Sequence, residues 1–432
     1  MVISISITTI LFPSLNYGAD YTTDVLIAGA GPAGASTSIF LSKEKIRHII
    51  IDKAVFPRDK VCGDALSGKT IGMLRRVHDN WQQHFFSDSN ISLECNGIQF
   101  IAPNNVALDI AFSPGNTGDN EAKGFVCKRI NFDNSLAQLV NSAYALFLTD
   151  TTLESIEEKA EGLLITIILQ GQPKTIFTKM IAGAEGRSSI VAKQLAKHVM
   201  EPAYYSAGIR AYYKNVSGLH QKNYIELHFL KEMQPGYLWI FPLPNGLANV
   251  GVGMLSKKVS AKKINLKQLM QQAITTHPEL KKRFTGAVME GNVEGWGLPL
   301  GSKKRKLSGS RFILTGDAGS LIDPFTGEGV GNAMVSGLVA SRVIKKAVDA
   351  NDFSADLLRQ YDTDLYKKLW TELKLSHYLQ LLSSKPRLFN FVVNKASRSK
   401  ELKETISCMF DNIDVRKKFT NPLFYIRILF NR

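Results

Sequence analysis

Asp24-Val-Leu-Ile-Ala-Gly-Ala-Gly-Pro-Ala-Gly34 is a short apolar run that breaks into three glycines, Gly29, Gly31 and Gly34. Small and apolar residues follow to about Lys43, and a second apolar run, Arg47–Ile51, ends at Asp52 and Lys53. Strand, glycine turn, helix, strand and terminal acid, in that order within about 30 residues, predict the β-turn-α-β unit of a dinucleotide-binding fold. Gly29 permits the tight turn, Gly31 lets backbone approach a pyrophosphate, and Gly34 lets helix pack on strand. The helix opened by Pro32 and Ala33 offers unpaired N–H groups and a partial positive charge to phosphates. Asp52, 18 residues after Gly34, is spaced to accept hydrogen bonds from ribose hydroxyls.

The length of the chain, 432 residues, supports two to three domains. Hydrophobic residues at 44% and charged residues at 21% exclude disordered, collagen-like and coiled-coil classes. No apolar stretch approaches the ~18 residues of a bilayer span. Cys62, Cys95, Cys127 and Cys408 form no CxxC pair, which argues against a zinc ribbon or disulfide scaffold and suits a reducing, cytoplasmic setting. The eight histidines show no metal spacing, so no metal site is expected. Met1–Pro13 is apolar but lacks the basic n-region of a secretory signal. Net charge is +15, and from Lys374 to Arg432 twelve Lys and Arg face four Asp and Glu. That excess fits an anionic membrane surface or simply solvent; no nucleic-acid module accompanies it.

Further along, Arg76–Lys123 reads as irregular and strand-like, with a turn at Ser113-Pro114-Gly115, and Phe132–Ala145 as a helix. Leu163–Leu169 and Thr175–Met180 read as a hairpin around Gly171-Gln172-Pro173. Ser206–Tyr213, Tyr224–Leu230, Tyr237–Phe241 and Ala248–Met254 alternate like sheet strands. Arg311–Thr315 reads as a buried strand before a glycine-rich turn and the helix Val330–Val348, and beyond about Asp352 the pattern is helical.

Gly29–Gly34, Gly183-Ala-Glu-Gly186 and Gly316-Asp317 together resemble the three cofactor signatures of flavoprotein hydroxylase-fold enzymes. Pro57-Arg-Asp-Lys-Val-Cys-Gly63, Pro235-Gly-Tyr-Leu-Trp-Ile-Phe-Pro242 and Gly316–Gly331 resemble, more narrowly, the geranylgeranyl reductase family. One departure is Glu185, where the fold usually has Asp. The resemblance implies an α/β architecture: a Rossmann-like FAD-binding domain, an inserted antiparallel β-sheet substrate domain and a helical C-terminal extension. The corresponding division is a tail at 1–21 and an FAD-binding domain at 22–75, 120–200 and 290–348. The substrate sheet then takes 76–119 and 201–289, and a basic helical region takes 349–432. It implies non-covalent FAD, with NAD(P)H or a reduced ferredoxin-type donor as transient reductant, and a prenyl-lipid substrate.

Residue by residue, the resemblance places Arg58, Cys62, Gly63, Arg129, Glu185 and Gly186 around the cofactor. Gly316 and Asp317 would meet its ribityl and pyrophosphate groups, and Asp323-Pro324 its ring. Gly327, Gly329, Val330 and Gly331 would open the helix aimed at the ring. Arg129 also fits an ordinary surface arginine. Saturating an isolated C=C bond needs a hydride and a separately supplied proton. Cys62 and Tyr237 are the candidate proton sources, although a buried packing cysteine is an equal reading of Cys62. Tyr237, Trp239 and Phe241 share one strand face ending at Pro242, which fits sheet core by periodicity and an isoprenoid tunnel by resemblance. An aromatic hydroxylase, a halogenase and a non-catalytic electron-transfer protein remain alternatives. The halogenase element Trp-x-Trp-x-Ile-Pro is broken here at Tyr237 and Phe241.

Overall fold

A computed structural model describes residues 17–112, 124–140 and 143–399. Strand Tyr21–Ala28 runs into helix Pro32–Lys43 and returns through strand His48–Ile51. Its parallel neighbours are Gln172–Gly183 on one side and His48–Ile51 on the other, with Phe312–Leu314 and Ala145–Leu148 extending the row. The central residues Val25–Ala28 have no solvent exposure. Helices cover a parallel sheet on its faces, so its strands are apolar throughout rather than alternating. The carboxyl ends of these strands all meet one crevice, where open α/β sheets bind ligands.

The second lobe is a seven-stranded sheet in the order Val288–Pro299, Tyr205–Lys214, Leu247–Leu255, Gly236–Pro242, Ile225–His228, Gly97–Ile101, Ala107–Ala111. Its pairs are antiparallel except Ile225–His228 with Gly97–Ile101. The expected domain boundary at 290 falls inside strand Val288–Pro299, which pairs along its length with Tyr205–Lys214. The boundary at 76 also moves. Helix Trp81–Phe86 buries Trp81 and Phe85 against Ile39 and Phe40 of the cofactor lobe, so the second sheet starts at Gly97.

Two further readings are corrected. The helix expected at Phe132–Ala145 spans Arg129–Gln138, and Ala145 begins a strand because Ala145–Leu148 is drawn into the parallel sheet. Gln172 and Pro173 belong to a strand rather than a turn; the bend is carried by Gln170 and Gly171, both at positive φ. Helices Leu266–Thr276 and Pro278–Phe284 cover the outer sheet face, burying Met270, Ile274 and Leu280 against Leu238, Ile240 and Val252.

The C-terminal helices tie the lobes together. Ala355–Ser383 buries Leu358, Tyr361, Leu365, Leu369 and Leu373, spaced along one helical stripe, against the cofactor lobe. Pro386–Arg398 buries Phe389, Val393 and Ala396 against the second sheet. The turn at 113–115, Cys408 and the basic end of the chain lie outside the described residues.

Candidate active site

The three glycine motifs interlock around one crevice. Gly29 has φ +97°, and a β-carbon there would stand 2.4 Å from the Ala184 carbonyl oxygen. Thr315 N–H donates to Gly183 carbonyl at 2.9 Å, so strand ends carrying the second and third motifs lie side by side. Gly316, at φ +57°, has room for no side chain between Ala33 and Ala333. Gly31 differs. A β-carbon there would meet only the Arg58 guanidinium, at 3.5 Å, because the space beyond it is open cavity.

That cavity measures about 500 Å³. Asp52, Lys53 and Thr151–Leu153 line one end, Gly29, Gly31, Pro32, Ala33, Arg58, Arg129 and Asp317 its middle, and Cys62, Gly63, Trp239, Leu298, Gly327, Gly329 and Val330 the other. Helix Pro32–Lys43 points its N-terminus into it without a side-chain cap. A carboxylate at one end, helix N–H groups in the middle and an apolar slot at the other fit the parts of an extended flavin dinucleotide. Asp52 accepts from Ala30 N–H at 2.7 Å and Ala54 N–H at 2.9 Å, which holds its carboxylate at the cavity wall.

Glu185, the departure from the usual Asp, has a structural reason. Its carboxylate accepts from Ser189 Oγ at 2.6 Å and from the Ile190 and Val191 amides at 3.1 Å. It thereby closes the start of helix Ile190–Gln194, and the longer side chain reaches that turn while its backbone still lines the crevice with Gly186. Burial pushes the carboxyl up, and these donors oppose the shift.

The segment Arg58–Asp64 is held at successive positions. Arg58 pairs with Asp133 at 2.6 Å, Asp59 with Arg210 at 2.5 Å, and Lys60 lies 3.8 Å from Asp317. Burial depresses the Lys60 ammonium below its ordinary value, with Asp317 opposing. Arg129, buried, makes a two-pronged pair with Asp133 at 2.7 and 2.8 Å and lies beside the Cys62 thiol. Desolvation would raise Asp133, but the two arginines hold it below the usual carboxylate range. Arg129 is therefore part of the cavity wall and not a surface arginine.

The aromatic strand divides its labour. Leu238 and Ile240 point into the outer core, and Tyr237, Trp239 and Phe241 turn toward the crevice side. Trp239 lines the cavity, lying across Gly251, where a β-carbon would come within 2.1 Å of the indole. Phe241 packs on Gly63 instead, 2.7 Å from where a β-carbon would be, so it supports the Cys62-Gly63 turn. Pro242 ends the strand and lines neither cavity. Tyr237 Oη donates to the Thr326 carbonyl, and burial raises the phenol well above its ordinary value. Its proton is thus committed to anchoring the Asp323–Gly329 loop, an arrangement that disfavours the acid role expected for it.

A smaller cavity of about 60 Å³ adjoins the first, sharing Trp239, Leu298 and Gly327. Phe229, Tyr237, Leu300, Pro324 and Phe325 make its wall largely apolar, with Asp323 beside them and Gln380 and Ser383 from the long C-terminal helix. Pro324 therefore faces this second cavity and is absent from the wall of the first. Gly331 is also displaced from its expected role: its N–H donates to Glu328 Oε1 at 2.6 Å, and a β-carbon there would meet Lys69. Gly329 and Val330 open the helix at the cavity. Below them Lys69 Nζ bonds Asn332 at 2.7 Å and Glu372 at 2.6 Å, a buried polar support that no sequence pattern marks. Trp296, Leu298, Gly208–Arg210 and Ile322 also line the first cavity without any motif to announce them. Among the described residues no cluster of His, Cys, Asp and Glu could hold a metal, and no helix is long and apolar enough to cross a membrane.

Comparison with known proteins agrees with this geometry. The family described as FAD binding domain matches residues 22–365. A digeranylgeranylglycerophospholipid reductase of Thermoplasma volcanium is 28% identical over 343 residues, covering 79% of this chain and 82% of the relative. A menaquinone reductase of Mycobacterium tuberculosis is 25% identical over 377 residues, covering 85% and 86%. The solved structure of a geranylgeranyl bacteriochlorophyll reductase-like protein from Thermoplasma acidophilum superposes with TM-score 0.77 at 22% identity, covering 93% of this chain and 99% of that one. The flavin-dependent brominase Bmp2 superposes with TM-score 0.76 at 18% identity, covering 94% and 99%, so the fold alone is shared between reductases and halogenases. With its three motifs converging on one dinucleotide-sized crevice and the match running from the first strand into the C-terminal helix, this chain belongs to the FAD binding domain family.

Proposed function

We propose that the protein is an FAD-dependent reductase that saturates prenyl C=C bonds of a geranylgeranyl-type lipid or polyprenyl substrate. The observation that carries this reading is the continuity of Trp239 and Leu298 from the first cavity into the apolar second one. A slot walled mostly by Phe229, Tyr237, Trp239, Leu298, Leu300 and Phe325, with Asp323 as its one carboxylate, offers an alkene much dispersion contact. The reductase names of the sequence relatives support the same substrate class.

Reduced flavin supplies the hydride when bound. Gly29, Gly31, Ala33 and Asp317 would hold its phosphate and ribityl parts, and Gly327, Gly329 and Val330 its ring edge. The chain's own residues then orient the alkene along Trp239, exclude water with the phenylalanine cluster, and present Cys62 as the protein thiol on the cavity wall. Transfer of a proton from Cys62 Sγ to the alkene carbon opposite the hydride would complete the addition of two hydrogens. The positive end of helix Val330–Ala350 faces the same region and favours negative charge there.

NAD(P)H or a reduced ferredoxin-type protein would deliver electrons transiently, since the glycine-turn β-α-β unit occurs once among the described residues. A bilayer-resident substrate also calls for docking at a membrane surface. Tyr378, Leu381, Leu388 and Phe391 are exposed at the junction of the last two helices, alongside Lys374, Lys385 and Arg387. Apolar side chains flanked by cations suit an anionic lipid surface.

The test is mass spectrometry of prenyl lipids incubated with reduced, FAD-loaded protein. Products heavier by two hydrogens, or multiples of two, are expected. Oxygen consumption with a hydroxylated or halogenated product would overturn the reading in favour of an oxygenase, and no turnover of any prenyl lipid would favour an electron-transfer protein.

A further inference from the structure

Asn249 sits on strand Leu247–Leu255 with no solvent exposure, and all of its amide is in use. Its Oδ1 accepts the Trp239 indole N–H at 2.8 Å. Its Nδ2 donates to the Cys62 carbonyl at 2.7 Å and to Asp64 Oδ2 at 2.8 Å. Asp64 is fully buried and lies at φ +68°, just after the Cys62-Gly63 turn. It also accepts from Tyr212 Oη at 2.8 Å and from Arg129 N–H at 3.2 Å. A buried carboxylate with these donors is fixed in orientation, because each lost bond leaves a desolvated polar group.

We propose that Asn249, backed by Asp64, is a positioning residue that ties the indole lining the substrate slot to the backbone turn carrying Cys62. A hydrocarbon that presses on Trp239 then sets the Cys62 turn through one amide, which is rigid and has no other partners to shift to. Two features separate this from ordinary sheet packing. Trp239 and Cys62 lie on different segments that share no backbone ladder, and Asn249 touches both with opposite ends of one amide. The inference rests on the reading that places Trp239 in the substrate slot, but its test measures the turn itself and not turnover.

The experiment measures alkylation of Cys62 by iodoacetamide in FAD-loaded protein carrying Cys408→Ser, mapped by peptide mass spectrometry. Cys95 and Cys127 are buried and serve as internal controls. Trp239→Phe removes the indole donor, and Asn249→Asp keeps the shape while removing the donor to the turn. Trp239→Phe should raise the Cys62 rate roughly five- to tenfold, the scale of one lost buried hydrogen bond, and Asn249→Asp, which removes both bonds donated by Nδ2, at least as much. The double variant should match the faster single, because one relay can be broken only once. Multiplying effects would mean that the smaller ring of Trp239→Phe merely opens the slot, and an unchanged rate in that variant would remove the link; either overturns the proposal. Should Asn249→Asp fail to retain flavin, Asn249→Ser replaces it in the cycle. Failure of Cys62→Ala to slow turnover would overturn the acid role of Cys62 and leave this mechanical link standing.

Discussion

A β-carbon on Gly34 would stand 1.7 Å from the carbonyl oxygen of Gly29, whereas one on Gly31 would meet no backbone atom within 4 Å. The two glycines of one motif therefore serve different ends: Gly34 lets helix Pro32–Lys43 seat on the turn, and Gly31 leaves space for a ligand. Gly34→Ala should destabilise the fold itself by about 3 kcal/mol, near the upper end of overpacking costs. Urea denaturation of the flavin-free protein checks it. Gly31→Val should keep the same unfolding midpoint without flavin yet purify without a flavin absorbance spectrum. A yellow Gly31→Val protein would contradict the cofactor geometry.

Cys62 lines the cavity beside Arg129, half-buried, with its carbonyl held by Asn249. Cys62→Ala should lower turnover of a prenyl lipid by about 100-fold, the low end of general acid contributions, with FAD content nearly unchanged. Single-turnover flavin reoxidation isolates the chemical step. An unchanged rate there would make Cys62 a packing residue.

His48 offers a pH-dependent reading of fold stability. Its Nε2 is 2.7 Å from Ser38 Oγ and its Nδ1 2.9 Å from the Ile46 carbonyl, so the neutral ring donates from Nδ1 and accepts at Nε2. Burial lowers its pKa to about 4, with the Ile46 carbonyl opposing. The unfolded chain, at the ordinary value near ~6.5, binds the proton first, so stability falls as pH drops through roughly 6.5 toward 4. The loss is on the order of 3 kcal/mol at full effect. His48→Gln should flatten that part of the stability–pH curve, read by denaturant midpoints between about pH 4 and 7.

Docking at lipid should depend on the corner of the last two helices. Binding to anionic but not neutral vesicles is expected, weakened by salt, since each cation near the surface contributes roughly 1 kcal/mol. Leu388→Asp with Phe391→Asp should weaken it further in a salt-independent way. Neutralising Arg416, Lys417 and Lys418 tests the contribution of the chain beyond residue 399. Binding to neither vesicle type would point to delivery of the substrate by a carrier.

The glycine turn, its strand and helix, and the alternation at Tyr237–Phe241 were legible in the sequence because each depends on local geometry. A positive φ at Gly29 or a two-residue period needs no knowledge of distant chain. The apolar runs likewise announced the parallel strands, since burial on both faces leaves no polar alternation. Where a local pattern was ambiguous, partners overruled it: Ala145–Leu148 joined the sheet by pairing with His48–Ile51 rather than extending a helix.

The working parts of the site were decided elsewhere. Asn249, Asp64 and Tyr212 are separated by as many as 185 residues and become one network only when strands Tyr205–Lys214 and Leu247–Leu255 pair beneath the Cys62 turn. Trp296, Lys69 and Glu372 carry no motif, because a buried hydrogen bond constrains a position in space and not a spacing along the chain. Tyr237 shows the limit most plainly: its strand face followed from period two, but the committed proton depends on the Thr326 carbonyl, 89 residues away. Local periodicity specifies which way a side chain points; only the packed lobes specify what it finds there.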